Sequence, residues 1–416
     1  MSGLFLCYST DVKIPLASLG LRQKDITAAE AVLKSGQLTM GKKVAEFESA
    51  IAQYLGVKHF VMVNSGSSAN LIIFEALLRP SNGEPKLKIG DGVLVPAVAW
   101  PTTVWPLIQL GLRPVFVDVD SENIGIDLKH AQATIDKDSG VRAIFPIHPL
   151  GFGIDHELLN QFVEKNSIIL INDVCESLGS WRGSVHAGTS GLAASFSFYF
   201  SHHITTMEGG GVATNDFNFA NDLRAMRSHG WSRDRFQPET LPLSDDRSIN
   251  QEKFQFITTG YNVRPMEIQA AIGIEQLKDL DNFVNRRREI ARQIHSSLEG
   301  TVFQVIDGGA FSDSETEKAH SWMLICIRIL KTLNVGDTLR IEKLLSDYGI
   351  ESRPVLTGNF LRQPAMKLFH EMPHPELFPN SELIARNYFM VGAHHDLSDD
   401  QICYLSDSLR TIASLI

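Results

Sequence analysis

Cysteine is scarce: Cys7, Cys175, Cys326 and Cys403 are the only four in 416 residues, and no two stand in a Cys-x-x-Cys spacing. That scatter argues against a disulfide framework and against a sequence-local zinc or iron–sulfur site, and leaves most of the four as small buried hydrophobes. No apolar run approaches ~18 residues, the length a membrane span needs. The N-terminus, Met1-Ser-Gly-Leu-Phe-Leu-Cys-Tyr-Ser-Thr-Asp-Val-Lys13, has no basic lead-in to its short apolar stretch, so neither a signal peptide nor a membrane association is expected and a cytoplasmic location is. An excess of basic charge is missing too. Lys and Arg number 38 against 48 Asp and Glu, a formal net charge of -10, which argues against a nucleic-acid partner while allowing a local basic pocket for phosphates. Internal repeats and low-complexity segments are absent. The absence that bears most on chemistry is local: no lysine occurs between Lys165 and Lys253.

What is present reads as an ordinary globular chain, too long for one core, so one large domain and one smaller are expected. Val44, Phe47, Ile51, Tyr54 and Leu55 recur at helical spacing and stop near Gly56. Apolar runs at 59–63, 92–96, 113–120, 143–148 and 167–173 then alternate with helical segments. Continuous apolar strands in such alternation imply a mostly parallel sheet with helices on both faces, and ligands of these sheets sit beyond the strands' carboxyl ends. After Pro265 a long helical region leads to a small α+β part, with a strand in 321–330 and a helix at 337–348 stopped by Gly349. The polar stretch through Gln251 reads as an exposed loop.

Two strand ends carry candidate chemistry. The first run leads into Asn64-Ser-Gly-Ser-Ser-Ala-Asn70 and an apolar helix; free N–H groups and the helix dipole make such a turn a phosphate cradle, although taken alone it also reads as a simple Ser/Asn cap. Asp173 closes the run 167–173, where a lone Asp is also a common cap or turn former. The stretch Ser195-Phe-Ser-Phe-Tyr-Phe-Ser-His-His-Ile-Thr-Thr-Met-Glu-Gly-Gly-Gly211 follows. It starts as a strand, passes through paired histidines and ends in glycines that admit close backbone approach. If strand alternation persists, His202 and His203 point oppositely and only one of them faces a given site.

Ser-Phe-Ser-Phe, then His202 four residues on, then Thr-Thr-x-Glu-Gly-Gly resembles the segment of the DegT/DnrJ/EryC1/StrS sugar aminotransferases that carries their covalent pyridoxal-phosphate lysine. His202 stands at the lysine's place. An imidazole can move a proton but cannot make that covalent link, and within the family the swap resembles the sugar 3-dehydratases, which use pyridoxamine phosphate to remove a hydroxyl. The resemblance spans essentially the whole chain, from Ser35-Gly36, Gly41 and Phe47-Glu48 onward. It implies a fold type I, aspartate aminotransferase-like α/β architecture, with a large cofactor-binding domain expected over 1–285 and a small α+β domain over 286–416.

Carried over by resemblance, Gly66, Ser67, Ser68 and Ser197 would hold the cofactor phosphate, and Asp173 would pair with the ring nitrogen so that the ring acts as an electron sink. Trp100 would stack on the ring, its bland alternative being core packing ahead of Pro101. Glu176 would lie near the ring hydroxyl. Asn262 corresponds to an asparagine that reaches a neighbouring subunit's cofactor phosphate, so a homodimer with active sites at its interface is expected. Arg353 is the candidate for gripping a carboxylate or substrate phosphate. One histidine-bearing branch adds cysteines for an iron–sulfur cluster after Gly-Trp-x-Arg-Asp; Gly230-Trp-Ser-Arg-Asp234 is followed by none before Cys326, so no cluster is expected.

The implied activity is 3-dehydration of a nucleotide-linked 4-keto-6-deoxyhexose, most like GDP-4-keto-6-deoxy-D-mannose. Pyridoxal/pyridoxamine 5'-phosphate would be held noncovalently, with His202 as base then acid and L-glutamate as amino donor. Alternatives are a nucleotide-sugar aminotransferase using another lysine, a non-catalytic cofactor-binding homologue, and a metal hydrolase built on His202-His203 and His394-His395. The last is poor, because adjacent histidines on a strand chelate badly and the carboxylate spacing of zinc motifs is missing.

Overall fold

The short apolar runs become strands of one sheet. The computed structural model describes residues 12–18, 20–236, 254–369 and 372–416. Its large sheet contains β1 (His59–Val63), β2 (Gly92–Pro96), β3 (Arg113–Val117), β4 (Val141–Ile144), β5 (Ile169–Asp173), β6 (Ala193–Ser197) and β7 (Gly210–Thr214), in the order β1-β7-β6-β5-β4-β2-β3. β2 to β6 pair in parallel, and β7 alone runs against its neighbours β1 and β6. β1 therefore points the same way as the parallel five.

Alternation along the strands feeds a core on each face. Val61 and Val63 of β1 join Ile72, Ile73 and Phe74 of the helix Gly66–Leu78, while Phe60 and Met62 join Phe47 and Ile51 of the helix Lys42–Leu55. Sandwiching by helices explains why these strands read as unbroken apolar runs. The run at 143–148 behaves differently from its reading. Pairing starts at Val141 and breaks after Ile144, because Pro146 has no N–H to give to the ladder; the chain then rejoins β5 through Ile147 and Asp173.

A second sheet, β8 (Phe303–Val305), β9 (Leu324–Ile329), β10 (Ser352–Arg353) and β11 (Tyr388–Gly392), is antiparallel in the order β8-β9-β11-β10. The helices Val335–Asp347 and Asp399–Leu415 cover it, together with Ile290, Ile294 and Leu298 of the helix Leu280–Leu298. We propose the seam between a large body, 1–285, and a small one, 286–416, inside that helix. The stretch read as an exposed loop lies outside the described residues from 237 to 253, as does Cys7.

One buried ion cluster ties the large sheet to its helices. Glu48, 7% exposed on the helix Lys42–Leu55, accepts from the Met62 N–H of β1 (2.9 Å), from Arg227 (2.6 Å) and from Arg224 (2.9 Å). The two cations hold its carboxyl below the usual range against the effect of burial. Removing the carboxylate strands Arg227, which is itself buried. Glu48→Ala should therefore lower the unfolding free energy by roughly 3–5 kcal/mol, read as a lower denaturant midpoint at unchanged slope.

Candidate active site

Because six strands of the large sheet share a direction, their carboxyl ends converge on one edge, and a cavity of about 310 Å³ opens there. The ends of β1, β2, β4, β5 and β6 contribute. Ser65, Gly66 and Ser67 follow β1; Trp100, Thr102 and Thr103 follow β2; Ile147 follows β4. Asp173 closes β5, with Cys175 and Glu176 just beyond it, and Ser197 closes β6 ahead of Tyr199, Ser201 and His202. Glu208 leads into the reversed strand β7, and Met323, Arg353 and Leu356 close the cavity from the small-sheet side. This is the carboxyl-edge crevice expected of such sheets.

The anion cradle is built by backbone crowding. Ser65 caps the helix Gly66–Leu78, its Oγ accepting from the Ser68 N–H at 3.1 Å. A Cβ on Gly66 would lie 2.6 Å from Ser197 Cβ, and one on Gly210 would lie 2.4 Å from the Gly66 nitrogen. Both glycines are required by close approach rather than by unusual dihedrals. The helix start, β6 and β7 thereby meet at one point, with the Gly66 and Ser67 backbone and the Ser197 side chain at the cavity wall.

Asp173 is held from three sides. Its Oδ2 accepts from Thr103 Oγ1 (2.8 Å) and Asn70 Nδ2 (3.1 Å), and its Oδ1 from the Cys175 N–H (3.2 Å). These donors fix the carboxylate's orientation and leave lone pairs for one more partner in the cavity. Glu176 is also buried, and its Oε2 accepts from the Leu150 N–H at 2.9 Å. Burial pushes its carboxyl up to about 7, partly opposed by that N–H and by Arg353. Trp100, 48% exposed, forms the rim.

The histidines lie off the strand. β6 ends at Ser197, and a turn with the His202 N–H on the Tyr199 carbonyl (3.0 Å) carries both imidazoles, so strand alternation does not govern them. They diverge nonetheless. His202 lines the cavity and places Nδ1 on the Cys175 carbonyl at 2.5 Å, whereas His203 is buried with Nε2 3.1 Å from the Ser321 carbonyl. A carbonyl only accepts, so His202 carries its proton on Nδ1 and leaves Nε2 as the free base. Burial lowers its pKa to about 4, against the opposing pull of the Cys175 carbonyl. The ring is therefore neutral near pH 7.

Gly66, Ser67, Trp100, Asp173, Glu176, Ser197, His202 and Arg353 thus share one cavity. Two expected residues do not. Ser68 is turned to Ser65, its hydroxyl 3.0 Å from that cap. Asn262 is exposed, and its Oδ1 accepts from Arg264 at 3.1 Å. Sequence reasoning missed Asn70 and Thr103, which clamp Asp173, and the Cys175 carbonyl. Asn70 stands in the same short motif as Gly66, and that proximity was the available signal; nothing in the sequence marks a carbonyl.

Strand ends that gather an anion cradle, a clamped carboxylate and an indole are what a pyridoxal phosphate needs, and the residues present fit that cofactor. The architecture is that of the PLP-dependent fold type I transferases, which solved relatives share. The sequence profile of the DegT/DnrJ/EryC1/StrS aminotransferase family matches residues 20–410, and the chain belongs to that family. It is 38% identical over 402 residues, 96% of this chain and 98% of the relative, to a GDP-4-keto-6-deoxy-D-mannose 3-dehydratase of Yersinia pseudotuberculosis. The structure of the E. coli GDP-4-keto-6-deoxy-D-mannose-3-dehydratase with bound hydrated PLP superposes with a TM-score of 0.86 at 36% identity, covering 96% of this chain and 99% of that one. A structure of such a dehydratase with a trapped PLP–glutamate geminal diamine superposes with a TM-score of 0.85 at 36% identity, over 95% and 100% of the two chains.

Burial of histidines, His202 of the cavity among them, makes stability depend on pH. It lowers His148, His202 and His394 to about 4, and His186 and His320 to about 3. Between an unfolded value of about 6.5 and these folded values, the unfolded chain binds more protons, so stability falls as the medium is acidified. Glu176 works the other way, since its raised carboxyl favours the folded state below about pH 7, and so do the raised carboxyls of Glu208 and Asp222, but the lowered histidines outnumber these carboxyls. The melting temperature should fall progressively from pH 6.5 to pH 4, as followed by thermal unfolding in a buffer series.

Proposed function

We propose that the chain removes the C3 hydroxyl of a nucleotide-linked 4-keto-6-deoxyhexose, with GDP-4-keto-6-deoxy-D-mannose as the best-matched substrate. One observation carries this reading. The side chain at the base position of the cavity is an imidazole in a fixed tautomer, and none of the described residues lining the cavity is a lysine. Similarity to the named 3-dehydratases over nearly the full chain supports it.

The cofactor, when bound, supplies an amine that links to the sugar's C4 carbonyl carbon and a ring that takes up electrons while the C3 hydroxyl departs. Residues of this chain do the rest. The Gly66 and Ser67 N–H groups and Ser197 would hold its phosphate at the positive end of the helix dipole. Asp173, held by its three donors, would pair with the ring nitrogen. Trp100 would cover the ring, and Glu176 would lie by the ring hydroxyl. Arg353, whose Nε has no hydrogen-bond partner in the wall, meets the carboxylate of glutamate or a phosphate of the substrate. His202 Nε2 accepts one proton inside the cavity and then gives it to the leaving hydroxyl, which departs as water.

Over the cycle the sugar loses one oxygen, and glutamate leaves as 2-oxoglutarate and ammonia, so no outside reductant is needed. A cytoplasmic enzyme fits these soluble substrates; no helix among the described residues is long and apolar enough to cross a membrane. We propose a homodimer in which Asn262, exposed on the single chain, reaches toward the other subunit's cofactor phosphate.

The test is spectroscopic and then chemical. Borohydride should fix no pyridoxal phosphate to the polypeptide, glutamate should convert the aldehyde band to the pyridoxamine band, and the loaded enzyme should release ammonia with GDP-4-keto-6-deoxy-D-mannose. His202→Asn should keep the cofactor and lose dehydration by about 10²-fold or more. Covalent fixation by borohydride, or a His202→Asn protein of full activity, would sink the assignment.

A further inference from the structure

Arg287 stands out on the helix Leu280–Leu298. It is 2% exposed, burial lowers its pKa only to about 10, and it forms no ion pair among the described residues. A buried guanidinium without a carboxylate is rare unless its donors are spent on something specific. Here Nη1 gives to the Trp322 carbonyl at 3.2 Å and to the Met323 carbonyl at 2.8 Å. The preceding carbonyl, that of Ser321, accepts from His203 Nε2 at 3.1 Å. Three successive carbonyls are thus each held by a side-chain donor, and one of those donors is the neighbour of His202.

The turn so held is strained. Trp322 is fully buried with φ of 52°, and it faces a second non-glycine residue in the left-handed region, Leu150 with φ of 54°. Two rungs join the segments, Ser321 N–H to the Gly151 carbonyl (2.8 Å) and Met323 N–H to the Leu150 carbonyl (2.9 Å). Gly151 must be glycine here, since its φ is 103° and a Cβ would lie 2.3 Å from the Trp322 nitrogen. Both segments end in the cavity: the Leu150 N–H binds Glu176, and Met323 is part of the wall. Residues 149–151 follow β4 and residues 321–323 precede β9, so the clasp joins the two sheets beside the active site.

We propose that Arg287 and His203 are positioning residues: by holding the 321–323 turn they set, through its rungs to Leu150 and Gly151, where Glu176 and Met323 stand in the cavity that contains His202. Strain of this kind persists only where surrounding bonds over-determine it, and these two side chains provide the excess. Neither touches the cofactor space directly.

The test uses full-length protein loaded with pyridoxal phosphate, in wild type and in Arg287→Met, Arg287→Lys and His203→Leu. Hydrogen exchange at the Ser321 and Met323 amides should speed up by about tenfold in Arg287→Met. The rate constant of the glutamate half-reaction, followed by the aldehyde and pyridoxamine bands, should fall by about tenfold with the half-saturating glutamate concentration little changed. Arg287→Lys, with one point charge in place of a planar fork, should recover part of both losses. Unaltered exchange at the two amides, or faster exchange with an unaltered rate constant, would overturn the proposal, as would a change confined to half-saturation. Should Arg287→Met fail to fold, His203→Leu is read by the same criteria, because it removes one tie and no charge. Exchange and the glutamate step are read without any nucleotide sugar, so a wrong sugar assignment would not mimic failure here.

Discussion

The hydrogen bond between His202 Nδ1 and the Cys175 carbonyl settles what the cavity can do, because it decides which ring nitrogen is left as a base. The same residue's N–H is given to Asp173 Oδ1. A single residue after β5 therefore ties together the Asp173 carboxylate and the His202 imidazole, the two groups to which the proposed reading gives the ring nitrogen and the proton transfer. Cys175 acts through its backbone. Its thiol is pushed well above its ordinary pKa by burial and by Asp173, which removes it as a nucleophile. The register between β5 and β6, with Asp173 opposite Ser195, sets the distance from which the β6 turn brings His202 back to this point.

Much of this was legible, and the reasons differ by residue. The strands at 59–63, 92–96 and 169–173 could be read because burial on both faces demands continuous apolar runs. Gly66 and Asp173 could be read because strand ends in a parallel sheet converge, and His202 because it replaced a lysine in a motif whose order and spacing were otherwise kept. Other features had no local signal. The break at Pro146, the turn that takes both histidines off β6, and the carbonyl that selects the His202 tautomer are all set by partners far along the chain or by backbone atoms. Ser68 lies outside the cavity lining for a simpler reason: its N–H is given to the Ser65 cap, a competition the sequence alone leaves undecided.

The large and small sheets share the work unequally. The large sheet supplies the cradle, the carboxylates and the base, while the small one supplies Met323, Arg353 and Leu356. Arg353 is the cation of that set, and it lies where its charge opposes the burial of Glu176 and further disfavours protonation of His202. The two sheets therefore meet at the cavity through charge as well as contact, beside the rungs that join 149–151 to 321–323.

Burial of His202 has a chemical consequence that an exposed histidine would lack. Lowering the pKa to about 4 weakens the imidazole as a base, which at first sight is a poor choice for the proton acceptor proposed above. The same shift makes the imidazolium a stronger acid. Hydroxide is a poor leaving group even from a carbon activated through C4, and an acid that surrenders its proton readily to the departing oxygen meets that need. A lysine would fail here twice: its ammonium holds the proton more tightly, and its free amine competes for the cofactor's aldehyde. The proton affinity set by packing around residue 202 and the absence of an amine there thus favour the same outcome, elimination over amino transfer.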